Sequence, residues 1–296
     1  MMEICSELAI CPRRLQQFAL TGKETFLAYL QVFQSVQRCK LLAYSIVITL
    51  KNGYKLKEDH TWKHLIYMCG RYTRALKFGN SFTMNENFRR GLQENRFVED
   101  VKAVDFIYYE FDKDIFTLIG SLPMKNLTGD INILKAISDA GCQLRLNTLK
   151  VLMVPHPGEV LLFKNFSASE IQLHNFWPGK FMNQIGMAHK RKKLNPNVKY
   201  VKKWFISPKR GIAIQPLLSM LTLLRTISPE MEKFTVRLKR RSRITGNRLQ
   251  QYCNSIDNFT SAVKKQWNQE FQIRLKIDLK IEVYVSRKNF CSIQNL

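Results

Sequence analysis

His60 and His64 lie four residues apart, a spacing that on a helix would put both on one face, and Cys69 is near enough in sequence to serve as a third zinc ligand. The segment reads as strand as readily as helix and no fourth ligand falls in register, so no metal is expected. Glu110, Asp112 and Asp114 alternate along a strand end, where carboxylates could gather magnesium; balancing nearby lysines is the simpler role. His156, His174 and His189 are isolated. No phosphate-binding loop, GxGxxG, GxSxG elbow or HExxH run is present. The expectation is a protein without catalytic residues or cofactor. Its 7 cysteines (Cys5, Cys11, Cys39, Cys69, Cys142, Cys253, Cys291) are odd in number and scattered, which points to reduced, buried thiols rather than a disulfide framework.

Charge is more informative. Against 23 Asp+Glu stand 47 Lys+Arg, a formal net charge of +24, which calls for a polyanion or an acidic partner. Residues 180–248 hold 18 of the Lys+Arg and two acids, Glu230 and Glu232, and so carry +16 of that excess. Within them, Lys190, Arg191, Lys192, Lys193, Lys202, Lys203, Lys239, Arg240, Arg241 and Arg243 are the candidates for nucleic-acid contact or nuclear import. Tyr200, Trp204 and Phe205 are interleaved with them as possible stacking faces. No apolar run approaches the ~20 residues that cross a bilayer, and the first residues lack the order of a secretion signal. An intracellular protein with no membrane contact is expected.

The elements that would position these residues begin with an amphipathic arm. Leu8, Leu15, Phe18, Phe26, Leu30 and Phe33 suggest short helices broken near Pro12 and Gly22, packed on their own domain or inserted into a partner. LLAYSIVITL (41–50) reads as a strand ending at the Lys51-Asn52-Gly53 turn, and Trp62 to Met68 and Val104 to Phe111 read as further strands. GRYTRALKFGNSFTMNENFRRGLQ (70–93) has too many Gly, Asn and Arg residues for a clean element. In GDINILKAISDAG, Asp130 caps a helix that Gly141 ends. TLKVLMVP reads as a buried strand, and His156-Pro157-Gly158 as a domain boundary. IAIQPLLSMLTLL should anchor the basic blocks to the folded body. From Phe271 to Val285 apolar residues fall on every second position, which predicts one strand of about 15 residues in a sheet or barrel. The expected fold is α+β and β-rich: an N-terminal helical arm (1–38), a central trunk domain (39–156) and a basic C-terminal β-rich domain (157–296), barrel-like or sheet.

Three stretches, LNTLKVLMVP (146–155), RGIAIQPLLSMLTLL with EKFTVRLKRRSRIT (210–245) and FQIRLKIDLKIEVYVSRKNF (271–290), follow one another in an order and spacing that resembles triplex capsid protein 1 of herpesviruses. The resemblance is to the betaherpesvirus branch, and the Ile-, Asn- and Lys-rich composition is similar to that of the roseolovirus group. It implies a structural capsid protein, the single-copy subunit that joins two copies of triplex capsid protein 2 in a heterotrimer. That trimer would link capsomers of the major capsid protein in an icosahedral virion, with the host nucleus as its site of assembly and viral DNA as a further partner. The residues alone also allow a stand-alone basic nucleic-acid-binding protein of ribosomal or nucleocapsid type.

Overall fold

In a computed structural model the described residues are 20–58, 63–79, 84–103, 113–152, 157–208, 214–238, 272–277, 281–285 and 292–295, with isolated positions at 14, 17, 18, 82, 254, 257, 258 and 261. The fold is mixed α/β, and the chain divides into two units: residues 1–129 with 139–142, and residues 130–138 with 143–296.

Unit 1 contains α1 (Lys23–Gln34), β1 (Val36–Leu41), β2 (Ile46–Leu50), β3 (Lys55–Glu58), α2 (Lys63–Tyr72), β4 (Ala75–Phe78), α3 (Glu86–Gln93), β5 (Asp100–Ala103), α4 (Lys113–Ser121) and β6 (Asn126–Gly129). Its strands lie in the order β6-β5-β4-β1-β2-β3. β1, β4, β5 and β6 are parallel, and β1-β2-β3 is an antiparallel meander. Unit 2 contains α5 (Ile131–Asp139), β7 (Leu144–Val151), a 3₁₀ turn (Pro157–Leu162), β8 (Phe166–Phe176), α6 (Pro178–Lys190), a second 3₁₀ turn (Pro196–Tyr200), β9 (Lys203–Pro208), α7 (Ile214–Ile227), β10 (Lys233–Leu238), β11 (Gln272–Ile277), β12 (Ile281–Val285) and β13 (Ser292–Asn295). Here the strand order is the chain order, parallel from β7 to β11 and antiparallel from β11 to β13.

One apolar spacing recurs at the parallel strands: a buried residue, two others, a buried residue, one other, a buried residue. It is Thr73-x-x-Leu76-x-Phe78 at β4, Val98-x-x-Val101-x-Ala103 at β5 and Met124-x-x-Leu127-x-Gly129 at β6. In unit 2 it is Val201-x-x-Trp204-x-Ile206 at β9 and Met231-x-x-Phe234-x-Val236 at β10. The residue after the first apolar position, called here the entrance position, carries the stacking. The Arg74 carbonyl accepts the N–H groups of Glu99 (2.8 Å) and Asp100 (3.2 Å), and the Glu99 carbonyl accepts those of Lys125 (2.9 Å) and Asn126 (2.8 Å). The Lys202 carbonyl accepts those of Glu232 (2.8 Å) and Lys233 (3.0 Å) in the same way. Buried asparagines add side-chain ties. Asn95 Nδ2 donates to the Gly70 (2.6 Å) and Thr73 (3.0 Å) carbonyls of the preceding turn, and Asn195 Nδ2 to those of Phe163 (2.8 Å) and Phe166 (2.6 Å).

Several expectations hold. Asp130 Oδ1 accepts from the Asn132 (3.0 Å) and Ile133 (3.1 Å) amides and starts α5, and Gly141, at φ 77°, follows its end. β7 is a parallel strand buried on one face through Leu144, Leu146, Leu149 and Val151, and Leu217, Met220, Leu221 and Leu224 bury α7 in the body of unit 2. A helix expected in the arm is α1, but its buried stripe is Ala28, Tyr29, Val32 and Phe33; of the face read from the sequence Phe33 is buried, Leu30 half-buried and Phe26 exposed. The stretch expected as a domain boundary, His156-Pro157-Gly158, lies in sequence between β7 and β8 and so within unit 2, while the division of the chain falls at 129–143.

Others are corrected. Trp62 to Met68 is not a strand: its described part starts α2, because Leu65, Ile66 and Cys69 follow a helical period rather than alternation. The stretch 70–93, expected to hold no clean element, contains β4 and α3. Asn85 is the N-cap of α3, its Oδ1 accepting from the Asn87 amide at 2.9 Å. Residues 41–50 form the end of β1 and all of β2, separated at 42–45. The single C-terminal strand is a hairpin, β11 and β12, in which Ile273 pairs with Val285 and Leu275 with Val283. Among the described strands β13 lies at the end of the order and no barrel closes. The expected strand at Val104 to Phe111 lies outside the described residues.

Gly70 and Gly91 allow α2 and α3 to touch. A Cβ on Gly91 would fall on the Tyr67 carbonyl oxygen, and one on Gly70 would sit 2.5 Å from that of Phe88. Gly91→Ala should therefore force the helices apart and lower stability by roughly 1–3 kcal/mol, read as a drop in the urea midpoint. An unchanged midpoint would show that the helices have room to separate.

Candidate functional site

Each parallel crossover advances to the next strand in chain order. Crossovers of one hand that advance in one direction place their helices over one face of a sheet. In both units that face is the one bearing the recurrent apolar residues. The alternate residues of the same strands point the other way; in unit 1 they are exposed or half-buried, and in unit 2 Ser207 and Thr235 among them are buried.

In unit 1 the pairing register aligns these outward residues in rows across the strands, about 4.8 Å apart from strand to strand. One row reads Lys57, Val47, Lys40, Lys77, Lys102, Thr128 from β3 to β6. The neighbouring row reads Lys55, Thr49, Arg38, Ala75, Asp100, Asn126. Lys40, Lys77 and Lys102 are thus consecutive cross-strand neighbours of like charge. Each such pair costs about 0.2–1 kcal/mol relative to neutral neighbours. Burial first, and then the Lys102, Lys40 and Arg38 cations, push the Lys77 ammonium below the ordinary lysine range. Asp100, in the second row, accepts a hydrogen bond from Asn126 Nδ2 at 2.7 Å.

At the entrance positions the charges alternate instead. Arg74, Glu99 and Lys125 succeed one another, with Lys125 Nζ 2.7 Å from Glu99 Oε1, and the Lys125 and Arg74 cations hold the Glu99 carboxyl below its ordinary range. Lys202 and Glu232 pair at 3.0 Å in unit 2. Arg71 pairs with Glu94 at 3.1 Å and Arg89 with Asp114 at 3.4 Å. Among the described residues no ion pair reaches Lys40, Lys77 or Lys102.

The outward residues of unit 2 are of mixed type. Lys203 on β9 lies opposite Lys233 on β10 and Glu170 on β8. Two residues along β9, Phe205 lies opposite Gln172 and Thr235. The His174 ring stacks on Phe205 with centroids 5.1 Å apart and planes at 29°.

The cations singled out from the sequence are dispersed. Lys190 to Lys193 form the exposed C-terminus of α6, where the Lys193 amide donates to Ala188 (2.9 Å) and the Lys192 amide to His189 (3.0 Å), a Schellman closure with Lys192 at φ 53°. Cations at a helix C-terminus complement its dipole, which accounts for the cluster without a ligand. Lys202 is paired with Glu232, and Lys203 joins the outward face. Lys239, Arg240, Arg241 and Arg243 lie outside the described residues. Of the stacking candidates, Trp204 is 1% exposed and its Nε1 donates to Ser228 Oγ at 3.3 Å, so it belongs to the core. Tyr200 is 50% exposed, with Lys199 Nζ 4.6 Å from its ring centre.

The possible metal ligands are engaged elsewhere: His64 stacks between Tyr29 (6.1 Å) and Tyr67 (6.4 Å), and Cys69 is buried, its carbonyl receiving the Cys39 thiol at 3.8 Å. His60, Glu110 and Asp112 lie outside the described residues, among which no group of three or more His, Cys, Asp or Glu residues could hold a metal ion. No helix among them is long and apolar enough to cross a membrane.

Sequence reasoning passed over Lys40, Lys77 and Lys102 because none belongs to a charge run. Their signal is positional: each sits singly between two buried residues, Cys39 and Leu41, Leu76 and Phe78, Val101 and Ala103. The segments that carry the capsid resemblance include β7 and α7, whose apolar residues are core. Comparison with known proteins finds no matching family model, no matching curated protein and no matching solved structure.

Two consequences can be measured. A lysine whose folded-state pKa is lowered destabilises the fold while protonated, and the penalty lifts as pH rises through the lysine range. Lys77→Gln should therefore raise the neutral-pH urea midpoint, by roughly 0.5–1 kcal/mol, and reduce the gain seen on alkalinisation. A lower midpoint would mean that the lysines support one another through the solvent. Lys192→Gly, which relieves a left-handed residue, should stabilise the protein by about 1 kcal/mol in thermal unfolding, with no gain if the backbone there is unstrained.

Proposed function

We propose that this protein is a non-catalytic repeat scaffold that holds an anionic macromolecule on the outward face of its strands. Strand-plus-helix units with this apolar spacing form the leucine-rich class of repeat architecture, in which each unit buries its core against its neighbours and leaves a surface for partners. The observation that carries the reading is the Lys40, Lys77 and Lys102 ladder beside entrance positions where charges alternate. The same repeats that neutralise charge at one position stack cations at another. An anionic partner supplies the missing counter-charge, and the net charge of +24 favours its approach.

The resemblance to a capsid-triplex subunit suggests a second, more specific role. That narrower reading rests on the three similar stretches, and the ladder supports the broader one.

The test is retention on immobilised heparin, a generic polyanion, with elution by salt. The triple variant Lys40→Gln, Lys77→Gln, Lys102→Gln should elute at clearly lower salt than the parent. Replacing Lys190, Arg191, Lys192 and Lys193 with Ala should cause the smaller shift, although it removes more charge. The reverse order would transfer the binding role to the end of α6.

A further inference from the structure

We infer that the outward face of unit 2 binds single-stranded nucleic acid. A base stacks on the Phe205 and His174 ring pair, the Gln172 amide meets the edge of that base, and Lys203 and Lys233 hold the neighbouring phosphates. This deepens the reading above by naming the anion, and it rests on that reading for the cationic character of the face.

Between the last two apolar positions of the repeat, the outward residue is Lys77 at β4, Lys102 at β5, Thr128 at β6 and Thr235 at β10, but Phe205 at β9. Phe205 is half-buried, and it is the aromatic exception among these lysines and threonines. His174 covers part of it, with centroids 5.1 Å apart, and the two rings form a stepped platform. Beside the platform Gln172 is held in orientation: its Nε2 donates to Glu170 Oε1 at 2.6 Å, and its Oε1 lies 3.5 Å from His174 Nε2. A primary amide has two N–H donors and a carbonyl, so a fixed Gln beside an aromatic platform has hydrogen bonds left for a base edge. Lys203 and Lys233 are direct cross-strand partners, and Lys203 lies two residues from Phe205 on the same face, about 7 Å along the strand.

This combination selects among anions. An acidic polypeptide would use the lysines and leave the rings idle. A duplex keeps its bases stacked internally and presents only phosphates to a sheet. A single strand offers exposed base faces together with backbone charge, the pairing for which sheet-borne aromatics and lysines are suited.

The experiment is a fluorescence anisotropy titration of the full chain with three labelled probes: oligouridylate, an abasic deoxyoligonucleotide with the same number of phosphates, and polyglutamate. Oligothymidylate, run in parallel, distinguishes RNA from DNA as the source of the strand. Base-bearing oligomers should bind roughly five- to a hundredfold more tightly than the abasic one. Phe205→Leu, which keeps the apolar bulk, should bring them to the abasic level without changing the salt dependence. His174→Ala should act in the same direction and serves if Phe205→Leu does not fold. Lys203→Gln with Lys233→Gln should instead reduce the slope of log affinity against log salt by about 1.4. Equal affinity for oligouridylate, oligothymidylate and the abasic chain, or full affinity in both ring variants, would overturn the inference. If polyglutamate binding that depends on Lys40, Lys77 and Lys102 survives such a result, the scaffold reading stands with an acidic protein as partner. If no probe binds in a salt-sensitive way, both readings fall.

Discussion

At the mouth of successive strands, one backbone carbonyl receives two amide groups from the next repeat, from Arg74 to Glu99 and Asp100, from Glu99 to Lys125 and Asn126, and from Lys202 to Glu232 and Lys233. Each of these carbonyls thus takes up two amides of the next repeat, and the paired bonds fix that strand beside its predecessor. Asn95 and Asn195 reinforce it by donating to carbonyls of the preceding turn. The order of strands in the parallel runs follows from this constraint: each repeat must lie beside its sequence neighbour, so the crossovers all advance the same way and the helices gather on one face. The other face is left outward as a consequence, before any functional residue is placed on it.

Charge is then sorted by position within the repeat. At the strand entrance, opposite charges alternate and pair at 2.7 and 3.0 Å. At the end of α6, four consecutive cations answer the carbonyl end of a helix. On the outward face of unit 1, lysines are stacked cross-strand, and Lys77 is driven toward its neutral form by burial and by its neighbours. The third arrangement opposes stability while the first two favour it, and the proposed binding role rests on this contrast. Unit 2 carries a different outward set in the same register, with a ring pair in place of part of the ladder.

Hydrophobic periodicity and cap chemistry were legible along the chain, since both depend on residues close in sequence. α5 with its Asp130 cap, the strand β7 and the apolar body of α7 could be read directly. The division of residues 271–285 could not. In the β11–β12 hairpin, odd-numbered residues face odd-numbered partners, Ile273 with Val285 and Ile277 with Ile281, so the two strands carry the same alternation. The residues that looked like structure breakers in 70–93 are those that make structure: Asn85 caps α3, and Gly70 and Gly91 are where α2 and α3 touch. A glycine required by a neighbouring helix looks the same in sequence as one required by a loop.

By itself the sequence determined that the molecule is cationic, that it has a sizeable core of mixed helix and strand, and that most of its net charge lies in residues 180–248. Only the tertiary structure decided which cations share a surface. Lys40, Lys77 and Lys102 are separated by 37 and then 25 residues, and they become neighbours because strand pairing sets Lys40 against Lys77 and Lys77 against Lys102. The run from Lys190 to Lys193, adjacent in sequence, lies at the end of α6, whose backbone it closes. Proximity along a chain reports local electrostatics, whereas a binding face is assembled by register, which long-range backbone hydrogen bonds set.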